Sequence, residues 1–275
     1  MKEFNLEGKV AIVTGSGRGI GKNIALCLAE GGADVVVTAR TKQEIEQTAA
    51  EIRKLGKKSL AVPADVGQTE QVESMVATTI QQFGKIDILV ANAAIAIMKS
   101  LVLLDGKPVI PLPMEAKLDM GLTDKDWSEM LNIDIFGVVR CVRAVGPHML
   151  QRKSGKIIVI GSGEGVQGAA NSSAYAACKG GVHNFARAIA LEWWPRNIQV
   201  NVVTPGAHNT EMWGRPEWHL SKKEVEKGYT KLNVQWGNMR QVGLLCVFLA
   251  SAASDYISGQ VICTNTRGGV SGGRH

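Results

Sequence analysis

The chain has 275 residues, of which 45% are hydrophobic and 20% charged, and its formal net charge is +6. This length can bury one large core, and the mean hydropathy of +0.03 is typical of a globular protein. No apolar run reaches the roughly 18 residues that a membrane-spanning helix needs. The first residues lack the apolar core of a signal peptide, so we expect a cytoplasmic protein with no membrane partner.

Charge and cysteine usage exclude further classes of function. The basic residues form no cluster, so we expect no nucleic-acid partner, whereas the modest positive excess suits an anionic small ligand such as a dinucleotide. The cysteines are odd in number and widely spaced, at positions 27, 141, 178, 246 and 263. This spacing predicts neither a disulfide framework nor a metal site.

The first predicted strand, 10–14, runs directly into a glycine-rich loop, and an amphipathic helix follows the loop. The loop consists of Gly15, Ser16, Gly17, Arg18, Gly19, Ile20 and Gly21. Glycines let the backbone approach a pyrophosphate, and the helix N-terminus offers free N–H groups with a partial positive charge. With a second strand at 35–38, the pattern predicts a dinucleotide-binding βαβ unit.

The end of the second strand bears on the choice of cofactor. A carboxylate there would bind the adenosine ribose of NAD, but the sequence places Arg40 two residues beyond Thr38. Arg40 and Arg18 are both able to pair with a 2′-phosphate, so NADP(H) is favoured and NAD(H) is the alternative. Solvated arginines are the other interpretation of both residues.

Strands and helices continue to alternate along the chain. We predict helices at 44–55, 70–83, 124–148, 175–194 and 241–252, and strands at 59–64, 86–91, 157–160, 198–203 and 259–263. This alternation indicates a Rossmann-type, doubly wound parallel sheet of about seven strands with helices on both faces. Asp65, Asn92 and Ser162 follow strands, at the edge where such sheets bind ligands.

Two segments break the alternation. Residues 95–122 contain Pro108, Pro111 and Pro113 and predict a long inserted loop. Residues 207–236 are rich in tryptophan and predict a lid over a substrate pocket, with a core or subunit contact as the alternative. No linker or repeat divides the chain, so we expect a single dinucleotide-binding and catalytic domain over residues 1–275.

The predicted helix at 175–194 begins with a tyrosine and a lysine on one face. Tyr175 and Lys179 are four residues apart, so their side chains are neighbours. A lysine ammonium favours the phenolate, and we expect it to lower the phenol pKa from about 10 towards neutrality with help from a bound oxidised nicotinamide. Ser162 follows a buried strand and is placed to hydrogen-bond the oxygen that the tyrosine protonates. These residues predict acid–base chemistry on a carbonyl or an alcohol.

In these motifs and their order, the sequence resembles the short-chain dehydrogenase/reductase family over nearly its whole length. The resemblance implies a nicotinamide cofactor, Tyr175 as acid/base, Ser162 on the substrate oxygen and Lys179 on the nicotinamide ribose. It also implies that Asp65 contacts the adenine and Thr210 the carboxamide region. It adds to the cofactor site Val66, Asn92, Ala93, Pro205 and Gly206. Members commonly form tetramers or dimers, which here would use helices 124–150 and 175–194.

One departure from the family pattern concerns catalysis. The family places an asparagine on the helix before the serine strand, and that position holds Asp134. Asn132 lies about 200° around the helix from it and cannot substitute. An ionised Asp134 accepts hydrogen bonds and stabilises the charged form of Lys179, but it cannot donate as an amide does. A second departure is a packing variant: after the fourth strand the family reads Asn-Asn-Ala-Gly, whereas this sequence has Ala91-Asn92-Ala93-Ala94.

We therefore expect an oxidoreductase that interconverts a ketone and a secondary alcohol. A dinucleotide-binding regulator or scaffold that has lost catalysis is the alternative. The substrate pocket is expected to include Gly163, Glu164, Gln167, His208, Asn209 and Trp213. Its mixed polarity allows a cyclic alcohol, a steroid, a sugar derivative or a 3-oxoacyl thioester.

Overall fold

A computed structural model of the chain describes residues 1–109, 121–206, 208, 210 and 237–264. In chain order its strands are β1 (Val10–Thr14), β2 (Asp34–Thr38), β3 (Ser59–Ala61), β4 (Ile88–Ala91), β5 (Leu103–Leu104), β6 (Lys107–Pro108), β7 (Gly155–Ile160), β8 (Ile198–Thr204) and β9 (Val261–Cys263). Its α-helices are α1 (Gly19–Glu30), α2 (Lys42–Lys54), α3 (Thr69–Phe83), α4 (Asp124–Met130), α5 (Gly137–Arg152), α6 (Glu164–Gln167), α7 (Ser173–Trp193) and α8 (Met239–Ala250). Three short 3₁₀ turns cover Lys2–Phe4, Trp194–Arg196 and Ala252–Ser254.

Seven of the strands form one parallel sheet in the order β3-β2-β1-β4-β7-β8-β9. The strand order reverses between β1 and β4, which leaves a crevice at their carboxyl ends. This sheet confirms the predicted Rossmann-type fold. Its central strands β1 and β4 are buried along their whole length, because helices cover both faces of the sheet.

Each face of the sheet has its own core. On one face, α3, α5 and α7 pack their apolar side chains on the strands, with Met75, Val145 and Val182 fully buried. On the other face, α1, α2 and α8 do the same, with Ile24 and Ile45 at the centre. A third, smaller cluster joins the start of α7 to the chain after β4 and supports the candidate site.

The structure differs from the predicted elements mainly at their ends. The third strand stops at Ala61 and the last begins at Val261, because only these residues pair with a neighbouring strand. The predicted loop at 95–122 contains the short antiparallel hairpin of β5 and β6. Residues 110–120 of that loop, and residues 207, 209 and 211–236 of the predicted lid, lie outside the described residues.

The predicted helix at 124–148 is interrupted. A π-helical turn, Leu131–Phe136, separates α4 from α5. Such turns widen the helix by one residue and are frequent at functional sites. Among the helices of the described ranges, none is both long enough and apolar enough to cross a membrane.

Candidate active site

The glycine loop joins β1 to α1 with little room for side chains. Gly15 and Gly19 have φ angles of 64° and 57°, in the left-handed region that favours glycine. A Cβ on Gly21 would lie 2.2 Å from the carbonyl oxygen of Gly15, so α1 can pack this closely only with glycine there. A Cβ on Gly17 would lie 2.8 Å from Cβ of Glu44. The cradle is therefore backbone-lined, and with the start of α1 beside it the geometry fits a pyrophosphate.

Hydrogen bonds fix the loop to the strands on both sides of β1. The Thr14 hydroxyl accepts hydrogen bonds from the backbone N–H groups of Asn92 and Ala93, both at 3.0 Å. The Asn92 amide donates in return to the carbonyl oxygens of Thr14 at 2.8 Å and Gly15 at 3.2 Å. Asn92 thus holds the crevice between β1 and β4 in a fixed shape.

Ser16 is placed differently from the other loop residues. Its hydroxyl is fully buried, donates to the Val13 carbonyl at 2.7 Å and accepts from the Thr38 N–H at 2.9 Å. Its own N–H donates to the Thr38 carbonyl at 3.1 Å. Both donors of Ser16 are therefore used within the protein, and the residue ties the loop to β2 instead of facing a ligand.

The two arginines predicted to read the adenosine ribose lie at the solvent side of the crevice. The Arg18 side chain is 61% exposed, and its guanidinium is 3.4 Å from the Glu44 carboxylate. Arg40 is exposed and forms no salt bridge with another described residue. A phosphate at this position would compete with Glu44 for Arg18.

The segment after β3 holds the predicted adenine contact. The Asp65 carboxylate accepts a hydrogen bond from the Gly67 N–H at 2.8 Å, which fixes the turn. Val66 is buried, and its carbonyl accepts from Arg140 at 3.2 Å. Asp65 and Val66 therefore border the carboxyl edge of the sheet from the side of β3.

Three of the four predicted catalytic residues, Ser162, Tyr175 and Lys179, come together where β7 ends against the start of α7, and the fourth, Asp134, is described below. Tyr175 and Lys179 are both buried, and the Lys179 ammonium lies 5.4 Å from the centre of the Tyr175 ring. The ammonium donates to the Ile160 carbonyl at 3.3 Å, which holds it at the end of β7. The Ser162 hydroxyl accepts from the Glu164 N–H at 3.2 Å and also hydrogen-bonds the Tyr175 phenol.

The pKa of Tyr175 moves in the direction opposite to the prediction. Burial raises this pKa above its usual value, and the nearby carboxylates of Asp134 and Glu164 raise it further. The hydrogen bond from Ser162 opposes the shift. Desolvation of the phenolate and the two negative charges therefore keep the phenol protonated near neutral pH.

Asp134 reaches the site through the π-helical turn. It is fully buried, and its Oδ1 accepts a hydrogen bond from the Ile95 N–H at 2.9 Å. Its charge also contributes to raising the pKa of the Cys178 thiol to about 11, although burial is the larger cause. Asn132 turns away, since its side-chain oxygen accepts from Arg140 at 2.8 Å. This confirms that Asn132 does not take the place of the family's asparagine.

His183 belongs to the site although the sequence analysis did not select it. It is buried one turn beyond Lys179 on α7, and its Nε2 accepts a hydrogen bond from the Ser162 N–H at 3.4 Å. Burial and the positive charges of Lys179 and Arg187 lower its pKa from 6.5 to about 4, so the ring is neutral and able to accept. The sequence contained a signal for His183, because the four-residue spacing of positions 175, 179 and 183 places them on one helix face.

The predicted substrate residues divide into three groups. Gly163 is buried beside Ser162, Glu164 is half-buried, and Gln167 is exposed at the end of α6. His208 is buried, and its Nδ1 donates to the Gly206 carbonyl at 2.8 Å, so it is a packed residue and not a solvated one. Asn209 and Trp213 lie outside the described residues.

The chain beyond β8 contributes the last predicted cofactor residues. Pro205 is buried, and Gly206 and Thr210 are half-buried. Pro205 and Gly206 directly follow β8, at the same edge of the sheet as Ser162 and the glycine loop.

A backbone-lined dinucleotide cradle beside a half-buried serine, a buried tyrosine and a buried lysine defines a nicotinamide-dependent oxidoreductase. The family described as short chain dehydrogenase matches residues 9–217. The chain therefore belongs to the short-chain dehydrogenase family, which confirms the resemblance seen in the sequence.

Individual relatives agree with this assignment. The 3-oxoacyl-(acyl-carrier-protein) reductase FabG of Staphylococcus epidermidis is 33% identical over 258 residues, which cover 94% of this chain and 97% of that protein. The protein of the same name from Vibrio harveyi is 34% identical over 266 residues, 95% of this chain and 98% of its own. A solved short-chain type dehydrogenase/reductase from Mycobacterium marinum has a TM-score of 0.80 at 30% identity. The match covers 95% of this chain and 96% of that protein.

Proposed function

We propose that this chain is an NADP(H)-dependent enzyme that interconverts a ketone and a secondary alcohol, with Tyr175 as the acid/base. Ser162 hydrogen-bonds the reacting oxygen, and Lys179 holds the nicotinamide ribose and faces the phenol. The observation that carries the proposal is the arrangement of these three side chains: a buried ammonium 5.4 Å from the tyrosine ring, beside the Ser162 hydroxyl at the end of β7.

In the reducing direction, Tyr175 gives its proton to the substrate oxygen while Ser162 hydrogen-bonds the same atom. A bound nicotinamide cofactor supplies or accepts the hydride. Lys179 then faces the phenolate that remains and stabilises its charge, whereas Asp134 opposes it. Because burial and carboxylates raise the Tyr175 pKa, the phenol is protonated and ready to act as an acid at neutral pH.

The cofactor would lie along the crevice edge. The pyrophosphate would lie against the glycine loop, at Gly15, Gly17, Gly19, Ile20 and Gly21. The adenosine side would lie against Asp65, Val66, Asn92 and Ala93. The nicotinamide side would lie against Pro205, Gly206 and Thr210. Ser16 supports the loop from within. A preference for NADP(H) over NAD(H) is supported by the exposed Arg18 and Arg40 and by the absence of a carboxylate among the residues that directly follow β2. Titration of the protein with NADPH and with NADH tests this preference directly, since tighter binding of NADH would remove the role given to both arginines.

The enzyme is further proposed to be a cytoplasmic homotetramer or homodimer. Exposed apolar side chains support assembly through the predicted helices: Phe136 on the π-helical turn is 53% exposed and Leu191 on α7 is 80% exposed. Sedimentation velocity on the purified chain tests this point, and a monomer at micromolar concentration would contradict it.

A 3-oxoacyl thioester reductase is the second candidate, and the names of the FabG relatives favour it. Acetoacetyl-coenzyme A with NADPH is the probe for it. The regulator or scaffold without catalysis is opposed by the intact group of Ser162, Tyr175 and Lys179.

The decisive test is Tyr175→Phe. It removes the acid while keeping the ring, so we expect turnover to fall by roughly 10²- to 10⁴-fold. NADPH binding, followed by nicotinamide fluorescence, should change less than about twofold. A fully active variant would refute the mechanism.

A further inference from the structure

Glu164 places a carboxylate inside the candidate substrate pocket. It lies two residues after Ser162, and its N–H donates to the Ser162 hydroxyl at 3.2 Å. One carboxylate oxygen, Oε2, accepts a hydrogen bond from the Ser172 hydroxyl. The residue is thus anchored through its backbone to Ser162 and through its carboxylate to Ser172, within the short segment between β7 and α7.

The other carboxylate oxygen is open to a ligand. Within the described ranges, Ser172 is the one side-chain hydrogen-bond partner of Glu164. Glu164 is half-buried, so part of the residue remains accessible. Oε1 is therefore available as an acceptor for a ligand.

No nearby cation neutralises this carboxylate among the residues described. Burial raises the Glu164 pKa, and the hydrogen bond from Ser172 is what opposes the shift, with no lysine or arginine contributing. The charge is close enough to the reaction centre to raise the Tyr175 pKa. A buried, partly bonded acceptor gains most from a ligand that donates a hydrogen bond to it.

We propose that Glu164 is a specificity-determining residue that selects ketones carrying a hydrogen-bond donor, such as a hydroxyl group, near the reacting carbonyl. This inference rests on the proposed function. In a 3-oxoacyl thioester, the carbons next to the reacting carbonyl carry no hydrogen-bond donor. The thioester oxygen, one carbon further away, is an acceptor and cannot donate to the carboxylate. A hydroxyketone of the sugar or polyol type would instead complete the hydrogen bonds of Glu164.

The test compares matched ketones with the NADPH-loaded enzyme. The pairs are 2-hydroxycyclohexanone with 2-methylcyclohexanone, and 3-hydroxycyclohexanone with 3-methylcyclohexanone, which differ in the donor but little in shape. We expect kcat/KM to favour a hydroxyl compound by roughly 10- to 100-fold in at least one pair, the range for a hydrogen bond to a charged group.

The variant Glu164→Gln keeps an acceptor oxygen but removes the charge, and we expect the hydroxyl preference to fall at least about fivefold. Glu192→Gln, an exposed change on α7, is the matched control and should keep the preference of the wild type. NADPH fluorescence checks that each variant is folded. If Glu164→Gln does not fold, Ser172→Ala, which frees the anchored oxygen, replaces it and should also alter the preference.

Two failures are distinguishable. Equal kcat/KM values for the hydroxyl and methyl ketones, or faster reduction of acetoacetyl-coenzyme A, overturn the role of Glu164 and leave the reductase intact. Firm NADPH binding without turnover of any ketone or thioester overturns the proposed function itself.

Discussion

The cofactor crevice and the catalytic group lie at the same edge of the sheet but are built by opposite means. Around the glycine loop, the side chains of Thr14, Ser16 and Asn92 hydrogen-bond backbone groups, and the charges lie outside at the solvent. Around Tyr175 and Lys179, titratable groups are buried and their charges are only partly balanced. The crevice therefore depends on shape, whereas the catalytic group depends on electrostatics.

The substitution expected to have the largest effect changes the shape of the crevice. In Gly21→Ala, the new Cβ would lie 2.2 Å from the Gly15 carbonyl oxygen and 2.4 Å from the Asn92 amide nitrogen. We expect the free energy of unfolding to fall by about 3 kcal/mol and NADPH affinity to fall by at least about tenfold. Urea denaturation and fluorescence titration measure the two quantities.

Gly31→Ala at the other end of α1 is the control for this change. Gly31 has a φ of −71°, and its Cβ would meet a flexible Leu6 methyl at 3.3 Å. It should cost less than about 1 kcal/mol. Similar losses from both variants would show that crowding at the loop is not special.

The next prediction tests the electrostatics of the catalytic group through the buried His183. Its pKa is about 4 in the folded chain against an ordinary 6.5, so as the pH falls the unfolded chain takes up the proton first. The contribution of His183 to the free energy of unfolding is therefore fully present above about pH 6.5. It is lost as the pH falls from 6.5 to 4, by about 3 kcal/mol in total. Denaturation curves at several pH values measure this loss.

His183→Gln should remove this part of the pH dependence of stability. It should also lower kcat, because the His183 ring accepts the hydrogen bond from the Ser162 N–H that positions Ser162. Equal pH slopes for both proteins would contradict the prediction. An NMR titration of the His183 ring in the wild type gives an independent measure, with a midpoint near 6.5 as the contrary result.

Asp134→Asn removes one of the charges that face the phenol, and it keeps the oxygen that accepts from the Ile95 N–H. Because Asp134 raises the Tyr175 pKa, the variant should carry out alcohol oxidation at lower pH, with the acid limb of the rate profile shifted down by about one unit. Glu129→Gln, an exposed change on α4, should leave the profile in place. An unshifted profile in Asp134→Asn would mean that its charge does not reach the phenol.

The smallest effect concerns charge at the solvent side of the crevice. Glu44→Gln releases Arg18 from its ion pair, so NADPH affinity should rise about two- to fivefold while NADH affinity stays the same. Glu51→Gln is the control. Glu51 lies on α2 like Glu44, and the change breaks its ion pair with Lys22 of α1. Equal changes for both cofactors would show that Arg18 does not read the phosphate.

The sequence by itself determined the order of strands and helices, the glycine loop, and the identity of Ser162, Tyr175 and Lys179. These are local signals, since glycine spacing, apolar periodicity and a four-residue helical interval act within a few residues of each other. They were enough to indicate the family and the reaction class.

Only the tertiary structure decided which way the Tyr175 pKa moves, because Asp134 comes from a different segment than Ser162 and Glu164 and their summed effect depends on burial. The same holds for Ser16, whose hydroxyl faces β2 and not a ligand. Electrostatic and steric interactions act across space, and a one-dimensional pattern does not contain the distances that set their sign.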